Sequence, residues 1–338
     1  MSARAPIPVV DLAGPFERQV AEIDTACRTV GFFAIVNHGV PADVADAAWA
    51  DATAFFDRPI DEKMAVAFPE PGYPYGYSPV AYETLAASLG AGGLPDLKES
   101  LAVGPDCIGP APEGIEHPDE RWIRSASRWP ARPAALQGSW TRYFRVMSDL
   151  SARLLGIMAV ALELPPDHFE PLIDRHTSGM RALRYPALTT APAPGQLRAG
   201  AHTDYGTLTI LRTDTVSGLQ IRAGDRWLDV APVPDGFVVN LGDSLAQWTN
   251  DQWRSTLHRV VTPVDADGRA PARQSFAFFH MANWDAIIEC LPTCLAAGDV
   301  PRHAPVLAGP WLMSKFTSTV AVGTSPSSSA ACGARDGG

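Results

Sequence analysis

Eight histidines are spread over the chain, and three of them open a His-x-acid pair: His117-Pro118-Asp119, His168-Phe169-Glu170 and His202-Thr203-Asp204. About one such pair is expected by chance at this content of acids, so context has to choose among them. The first has a proline between its members, inside a proline-rich loop, and the second follows Pro165-Pro166-Asp167 at the end of a helical pattern. Only the third runs directly into an alternating segment, Tyr205-Gly206-Thr207-Leu208-Thr209-Ile210-Leu211. In an extended chain, residues two apart point to the same side, so His202 and Asp204 are expected to project together like two neighbouring ligands of one ion. His258, on a β-prone run fifty-four residues beyond Asp204, is the candidate third ligand. Two imidazoles and one carboxylate on one side of an octahedral ion leave three positions open, as in non-haem Fe(II) oxygenases. The same set also binds zinc in hydrolases, so these residues alone leave the metal open.

Arg273-Gln274-Ser275-Phe276-Ala277-Phe278-Phe279 bears on that choice. An arginine inside an apolar strand is costly unless an anion partners it. By the two-residue period Arg273 and Ser275 share a face. There a guanidinium could grip a carboxylate through two parallel hydrogen bonds, and the hydroxyl could add another. A structural ion pair with one of the protein's own acids is the alternative.

Ile7-Pro8-Val9-Val10-Asp11-Leu12 reads as a short strand, and Glu17 to Val30 as a helix with Val20, Ile23, Ala26 and Val30 on one face. Phe32–Val36 is a β-rich run, and Pro41 opens a second helix striped by Val44, Ala48, Ala52 and Phe55. Residues 69–80 and 104–118, rich in Pro and Gly, read as ordered loops. A longer helix carries Trp140, Tyr143, Phe144, Met147, Leu154, Met158 and Leu162 until Pro165-Pro166 stops it. From about Met180 to His280 short β-prone runs recur between turns such as Pro234-Asp235-Gly236, which predicts a double-sheet jelly roll or a barrel. The Ser-, Ala- and Gly-rich tail, residues 324–338, is expected to be disordered.

Composition bounds the rest. The 338 residues are 46% hydrophobic and 19% charged, which suits a globular protein with a substantial core. With 27 Lys and Arg against 37 Asp and Glu, the net charge of −10 opposes a nucleic-acid partner. No apolar run is long enough for a membrane span and the N-terminus does not read as a secretion signal, so a cytoplasmic location is expected. Cys27, Cys107, Cys290, Cys294 and Cys332, odd in number and scattered, read as reduced thiols. No long exposed apolar stripe demands a dimer, so a monomer is expected.

Further ordered motifs accompany the His-x-Asp pair: Gly31-Phe32-Phe33, Asn37-His38-Gly39-Val40, Gly76-Tyr77, Asp96-Leu97-Lys98-Glu99, Leu183-Arg184-Tyr185-Pro186, Gly218-Leu219-Gln220, Val239-Asn240-Leu241-Gly242-Asp243 and His258-Arg259-Val260. From Ile7 to about Phe316 the chain resembles the isopenicillin N synthase-like family of Fe(II)/2-oxoglutarate oxygenases. The resemblance implies a mainly β fold with flanking helices (α+β) around a double-stranded β-helix (jelly roll). It implies one oxygenase domain over residues 5–320, with an N-terminal mixed α/β region at 7–120 and the oxygenase core at 178–284. His202, Asp204 and His258 would bind Fe(II); Arg273 and Ser275, with Tyr185 nearby, would hold the distal carboxylate of 2-oxoglutarate. Dioxygen would be the other co-substrate. The implied reaction couples oxidative decarboxylation of 2-oxoglutarate to hydroxylation of a small molecule, or to desaturation or ring closure, as in specialised metabolism.

His38 would then be structural, and His280 would line the substrate side or fill the sheet. Two departures stand out. The interval from His258 to Arg273 is long for the family, which makes Arg269 a rival clamp, although Pro271 sits where its serine should be. Leu183 stands where members often carry Asn, with Arg181 and Arg184 as possible substitutes. Tyr205, Phe279, Tyr75, Trp248 and Trp284 are candidates for the substrate wall, Tyr205 first because it adjoins Asp204. An iron oxidase without 2-oxoglutarate, a binding protein that lost turnover, and a zinc hydrolase are the competing readings.

Overall fold

The computed structural model describes residues 7–320 apart from 71, 91 and 92; the tail at 324–338 lies outside the described residues. The strands are β1 (Val9–Asp11), β2 (Phe32–Val36), β3 (Gly76–Ser78), β4 (Glu99–Val103), β5 (Gly179–Tyr185), β6 (Ala199–His202), β7 (Leu208–Thr213), β8 (Leu219–Ala223), β9 (Arg226–Asp229), β10 (Phe237–Leu241), β11 (His258–Val260) and β12 (Arg273–His280). The helices are α1 (Phe16–Thr29), α2 (Ala42–Phe56), α3 (Ile60–Met64), α4 (Pro118–Ile123), α5 (Leu136–Ala161), α6 (Glu170–Ile173), α7 (Asp243–Trp248) and α8 (Ala308–Val320).

β2 shows how the layers arise. Its residues alternate: Phe32 and Ala34 join Tyr185, Ala199, Ile221 and Val260 between two sheets. Phe33 and Ile35 point the other way, into a larger core with Ile23, Ala48, Phe55, Trp140, Phe144 and Met147 from the helices. A strand covered on both faces can be apolar throughout, which is why Phe32–Val36 shows no polar alternation. The larger sheet has the order β1-β2-β10-β7-β12-β5-β4-β3 and faces the smaller sheet, β6-β11-β8-β9. Neighbours are antiparallel except β1 and β2. Two facing antiparallel sheets with helices on the outside are the jelly-roll core expected above.

α5 holds the larger sheet from outside. Trp140 and Tyr143 pack on Phe276, and Phe144 packs on Phe278, with ring centroids 4.8, 5.1 and 4.9 Å apart. Phe276 and Phe278 thus occupy the helix side of β12, which leaves Arg273, Ser275 and Phe279 on the side facing the small sheet.

Three features depart from the sequence reading. The loop expected at 69–80 contains β3, which pairs with β4; Gly76 takes φ +139 there, and an added Cβ would lie 2.8 Å from the Val66 carbonyl oxygen. The His-x-Asp segment is not continuously extended: β6 ends at His202 and β7 begins at Leu208, so Asp204 lies in the connection. The apolar-polar alternation of 205–211 hides that break. Finally, α8 was not foreseen, and it packs on α4 and on the 3₁₀ turn at Leu85–Leu89. No helix among the described residues is long and apolar enough to cross a membrane.

Candidate active site

β6 and β11 are antiparallel neighbours, and their register sets His258 directly opposite His202. The two imidazole centroids are 4.3 Å apart. Asp204, two residues past the end of β6, turns its carboxylate back between them: Oδ1 lies 3.8 Å from Nε2 of His202 and 3.8 Å from Nε2 of His258. One ligand atom from each of the three lies within 4.8 Å of the others, a group suited to a single ion.

Each donor is aimed by a second contact. His202 Nδ1 meets the Gly200 carbonyl oxygen at 2.8 Å, and His258 Nδ1 meets that of Thr256 at 3.1 Å. A carbonyl can only accept, so Nδ1 carries a proton in both rings and Nε2 is the nitrogen turned toward a metal. Asp204 Oδ2 accepts from Thr209 Oγ1 at 2.6 Å and from Asn240 Nδ2 at 2.7 Å, leaving Oδ1 toward the histidines. Burial, and then the neighbouring His258, pull the His202 pKa down to about 4. Burial alone would raise the Asp204 carboxyl; His258 and His202, with Asn240 and Thr209, outweigh it and hold the pKa below the ordinary value. The centre therefore offers an unprotonated imidazole nitrogen and a carboxylate at neutral pH. Nitrogen and oxygen donors on one side of a cavity fit Fe(II).

Arg273 begins β12 opposite Tyr185, the last residue of β5. Its guanidinium lies 5.0 Å from the centroid of the Tyr185 ring. Nε donates to the Val216 carbonyl oxygen at 3.2 Å, while Nη1, buried, has no partner among the described residues. A cationic nitrogen left so is costly until an anion arrives, and a 2-oxoglutarate carboxylate fits that need. Ser275 is buried on the same face, opposite Leu183. The rival Arg269 is exposed on the connection from β11 to β12, where its backbone closes a turn on Asp265. Arg184 points to the helix side, toward Asp57 and Gln274, and so does not replace the missing Asn. Arg181 does face inward, bound through Nη1 to Glu83.

Residues 177–282 match the model of the 2OG-Fe(II) oxygenase superfamily, and residues 7–132 match that of the N-terminal region of non-haem dioxygenases in morphine synthesis. A 2-oxoglutarate-Fe(II) type oxidoreductase of Emericella nidulans, hxnY, is 33% identical over 85% of this chain and 80% of its own. The chain belongs to the 2-oxoglutarate–Fe(II) oxygenase superfamily. Another relative, the homoarginine-6-hydroxylase 2-ODD-C23.1 of Arabidopsis thaliana, is 31% identical over 81% of this chain and 80% of its own. Among solved structures, a full-length Neurospora crassa protein in complex with alpha-KG superposes with a TM-score of 0.80 at 28% identity, covering 93% of this chain and 96% of that one. This oxygenase is accordingly an oxidoreductase that uses Fe(II), 2-oxoglutarate and dioxygen, and the oxidase, hydrolase and binding-protein alternatives fall away.

The oxygenase places the five aromatic candidates differently. Tyr205, half-buried beside Asp204, lies against α8, its ring 5.8 Å from Phe316 and 6.0 Å from Lys315 Nζ. Phe279 is half-buried on the inward face of β12. The other three serve packing. Tyr75 is buried over Gly104 and donates its hydroxyl to the Ile123 carbonyl oxygen. Trp248 fills the helix-side core against Phe169 and donates to the Ile287 carbonyl oxygen. Trp284 lies on the backbone of Gly309, beside His117. His38 caps its own turn, Nδ1 accepting from the Val40 amide, and His280 is buried against the Thr207 hydroxyl. A cleft of about 570 Å³ opens beside β11, lined by Thr256, Leu257, Arg222, Arg254, Trp311 and Lys315.

Thr209 and Asn240 were missed as supports of Asp204, as were the Gly200 and Thr256 carbonyls. Asn240 did sit in a conspicuous run, Val239-Asn240-Leu241: a lone amide in an apolar strand needs a buried partner.

Proposed function

We propose that His202, Asp204 and His258 hold the Fe(II) and that Arg273, with Ser275 and Tyr185, seats the distal carboxylate of 2-oxoglutarate, in an enzyme oxidising an unactivated C–H bond of a small molecule. The reading is carried by one observation: two imidazole Nε2 atoms, each with Nδ1 tied to a carbonyl, both face Asp204 Oδ1 at 3.8 Å. With iron, 2-oxoglutarate and dioxygen bound, the centre supplies the oxidant, at the expense of 2-oxoglutarate becoming succinate and carbon dioxide.

The chain's own residues do the rest. The second contacts of Asp204 and the two histidines fix their donors in direction, so binding requires no rearrangement. Arg273 neutralises the far end of the co-substrate and sets its orientation. Tyr205 and Phe279 supply apolar surface that keeps water from the reacting carbon, and α8 covers the mouth on the Tyr205 side. We place the enzyme in the cytoplasm, acting as a monomer, with Ile7 to Val320 as one oxygenase domain.

Relatives act on unlike molecules: one is named for homoarginine, and the Neurospora crassa protein has been crystallised with thymine. The test is a panel of amino acids, nucleobases and specialised metabolites under air with Fe(II) and 2-oxoglutarate, read by succinate release and product mass. One panel member should gain the mass of an oxygen atom, or lose that of two hydrogens, in step with succinate. Succinate release that no compound stimulates, in iron-loaded protein, would contradict the small-molecule reading.

A further inference from the structure

A second arginine lies beside the first. Arg198, immediately before β6, is fully buried, and its guanidinium lies 5.9 Å from the centroid of the same Tyr185 ring that Arg273 covers. Nη2 donates to the carbonyl oxygens of Pro186 and Pro271. Among the described residues Nε and Nη1 have no partner, and neither does Arg273 Nη1, so three cationic nitrogens are left unsatisfied in one buried neighbourhood. Burial pulls the Arg198 pKa down and the charge of Arg273 pulls it further, as expected of two like charges brought close without a counter-ion.

None of the described residues supplies that counter-ion. The nearest acid by its effect on Arg198 is Asp214, whose Oδ1 accepts from the Val216 amide at 3.0 Å and Oδ2 from the Gln274 amide at 2.6 Å. Among the described residues neither guanidinium has a carboxylate within ion-pairing distance. Two buried like charges on one aromatic ring are destabilising by themselves, so the arrangement is intelligible only if an anion completes it.

We infer that Arg198 is a second anchor for the distal carboxylate of 2-oxoglutarate, acting beside Arg273 across the Tyr185 ring. The inference rests on the proposal that Arg273 seats that carboxylate, and it adds a residue that positions and selects the co-substrate. The second cation tightens the preference for a dicarboxylic 2-oxo acid over one that ends in a methyl group. The bonds to Pro186 and Pro271 hold the guanidinium in place by tying it to the ends of both strands that flank the site.

The test is anaerobic titration of Fe(II)-loaded protein with 2-oxoglutarate and, separately, with 2-oxopentanoate, which lacks the distal carboxylate, read by calorimetry. Arg198→Gln should weaken 2-oxoglutarate binding about ten- to a hundredfold, the worth of one charge-assisted hydrogen bond, and leave 2-oxopentanoate binding unchanged. Arg198→Lys should recover part of the loss. Equal weakening of both acids would show a merely structural role, and no weakening of either would show that the carboxylate lies elsewhere; both overturn the inference. Arg273→Gln in the same assay separates the two readings. If it too fails to lower the preference for 2-oxoglutarate, the clamp itself is misplaced. If Arg273→Gln lowers it and Arg198→Gln does not, only the second anchor is wrong.

Discussion

Asp204 is the residue on which the centre turns. It must present one oxygen to the histidines while the other is held, and the holding falls to Thr209 and Asn240. Asn240→Leu keeps the number and branching of the side-chain heavy atoms and removes one of the two donors, so the carboxylate gains freedom to rotate. Outer partners of metal ligands are worth about ten- to a hundredfold in metal affinity, and Fe(II) binding in this variant should weaken within that range. Anaerobic iron titration checks it, with the melting temperature as a control for folding; unaltered affinity would show that Thr209 alone suffices. At this scale the sequence was most informative. The grouping of His202, Asp204 and His258 was legible because few residue types bind metals, and Arg273 drew notice because a charge in an apolar strand demands a reason. Arg198 was not legible: Leu197-Arg198-Ala199 follows a loop and looks like a surface position. Its burial depends on a register that places it against Tyr185, and no local signal carries that. The aromatics failed for a related reason, since Tyr75, Trp248 and Trp284 satisfy packing and cavity walls equally well by type.

At the level of elements, the site is built where two connections touch. The segment from β6 to β7 carries Asp204, and the start of α7 lies against it backbone to backbone. The Asp243 amide donates to the Asp204 carbonyl oxygen at 2.8 Å, and the Gly242 amide to that of Thr207 at 2.9 Å. A Cβ added at Gly242 would come within 2.1 Å of the Gly206 carbonyl oxygen. Gly242 has φ −96, so alanine is unstrained in its own backbone and the whole cost falls on this contact. Gly242→Ala should therefore displace the Asp204 segment, weakening iron binding and turnover more than an alanine at exposed Gly138, which has open space around it and no left-handed backbone. Parallel iron titrations of the two variants test this; equal effects would contradict it. Strands and long helices were readable because α5 shows plain helical periodicity and β10 is a short, continuously β-prone run. The β6–β7 break, β3 and α8 were not, because each is fixed by a neighbour: α7, β4, and the turn at Leu85–Leu89 respectively.

Over the whole molecule, burying unprotonated histidines ties stability to pH. Burial and then Arg124 hold His176 at about 4, burial and then His258 hold His202 at about 4, and burial and then His176 hold His280 well below its ordinary value. In the unfolded chain each takes up a proton near pH 6.5, about the ordinary histidine value. Below that pH the unfolded state binds more protons than the folded one, so the metal-free protein should lose stability as pH falls from about 6.5 toward 4. Urea midpoints of chelated protein should therefore be lower at pH 5 than at pH 7.5. A constant midpoint would mean that these rings are not buried unprotonated.

The central claim is that three side chains, two on neighbouring strands and one in a connection, bind one ferrous ion together. Anaerobic equilibrium dialysis against Fe(II) tests it most directly, on the native chain and on His258→Ala. The native chain should retain one iron per molecule, and the variant should lose it while keeping a cooperative melting transition. Retention of iron by the variant at native affinity would contradict the assignment.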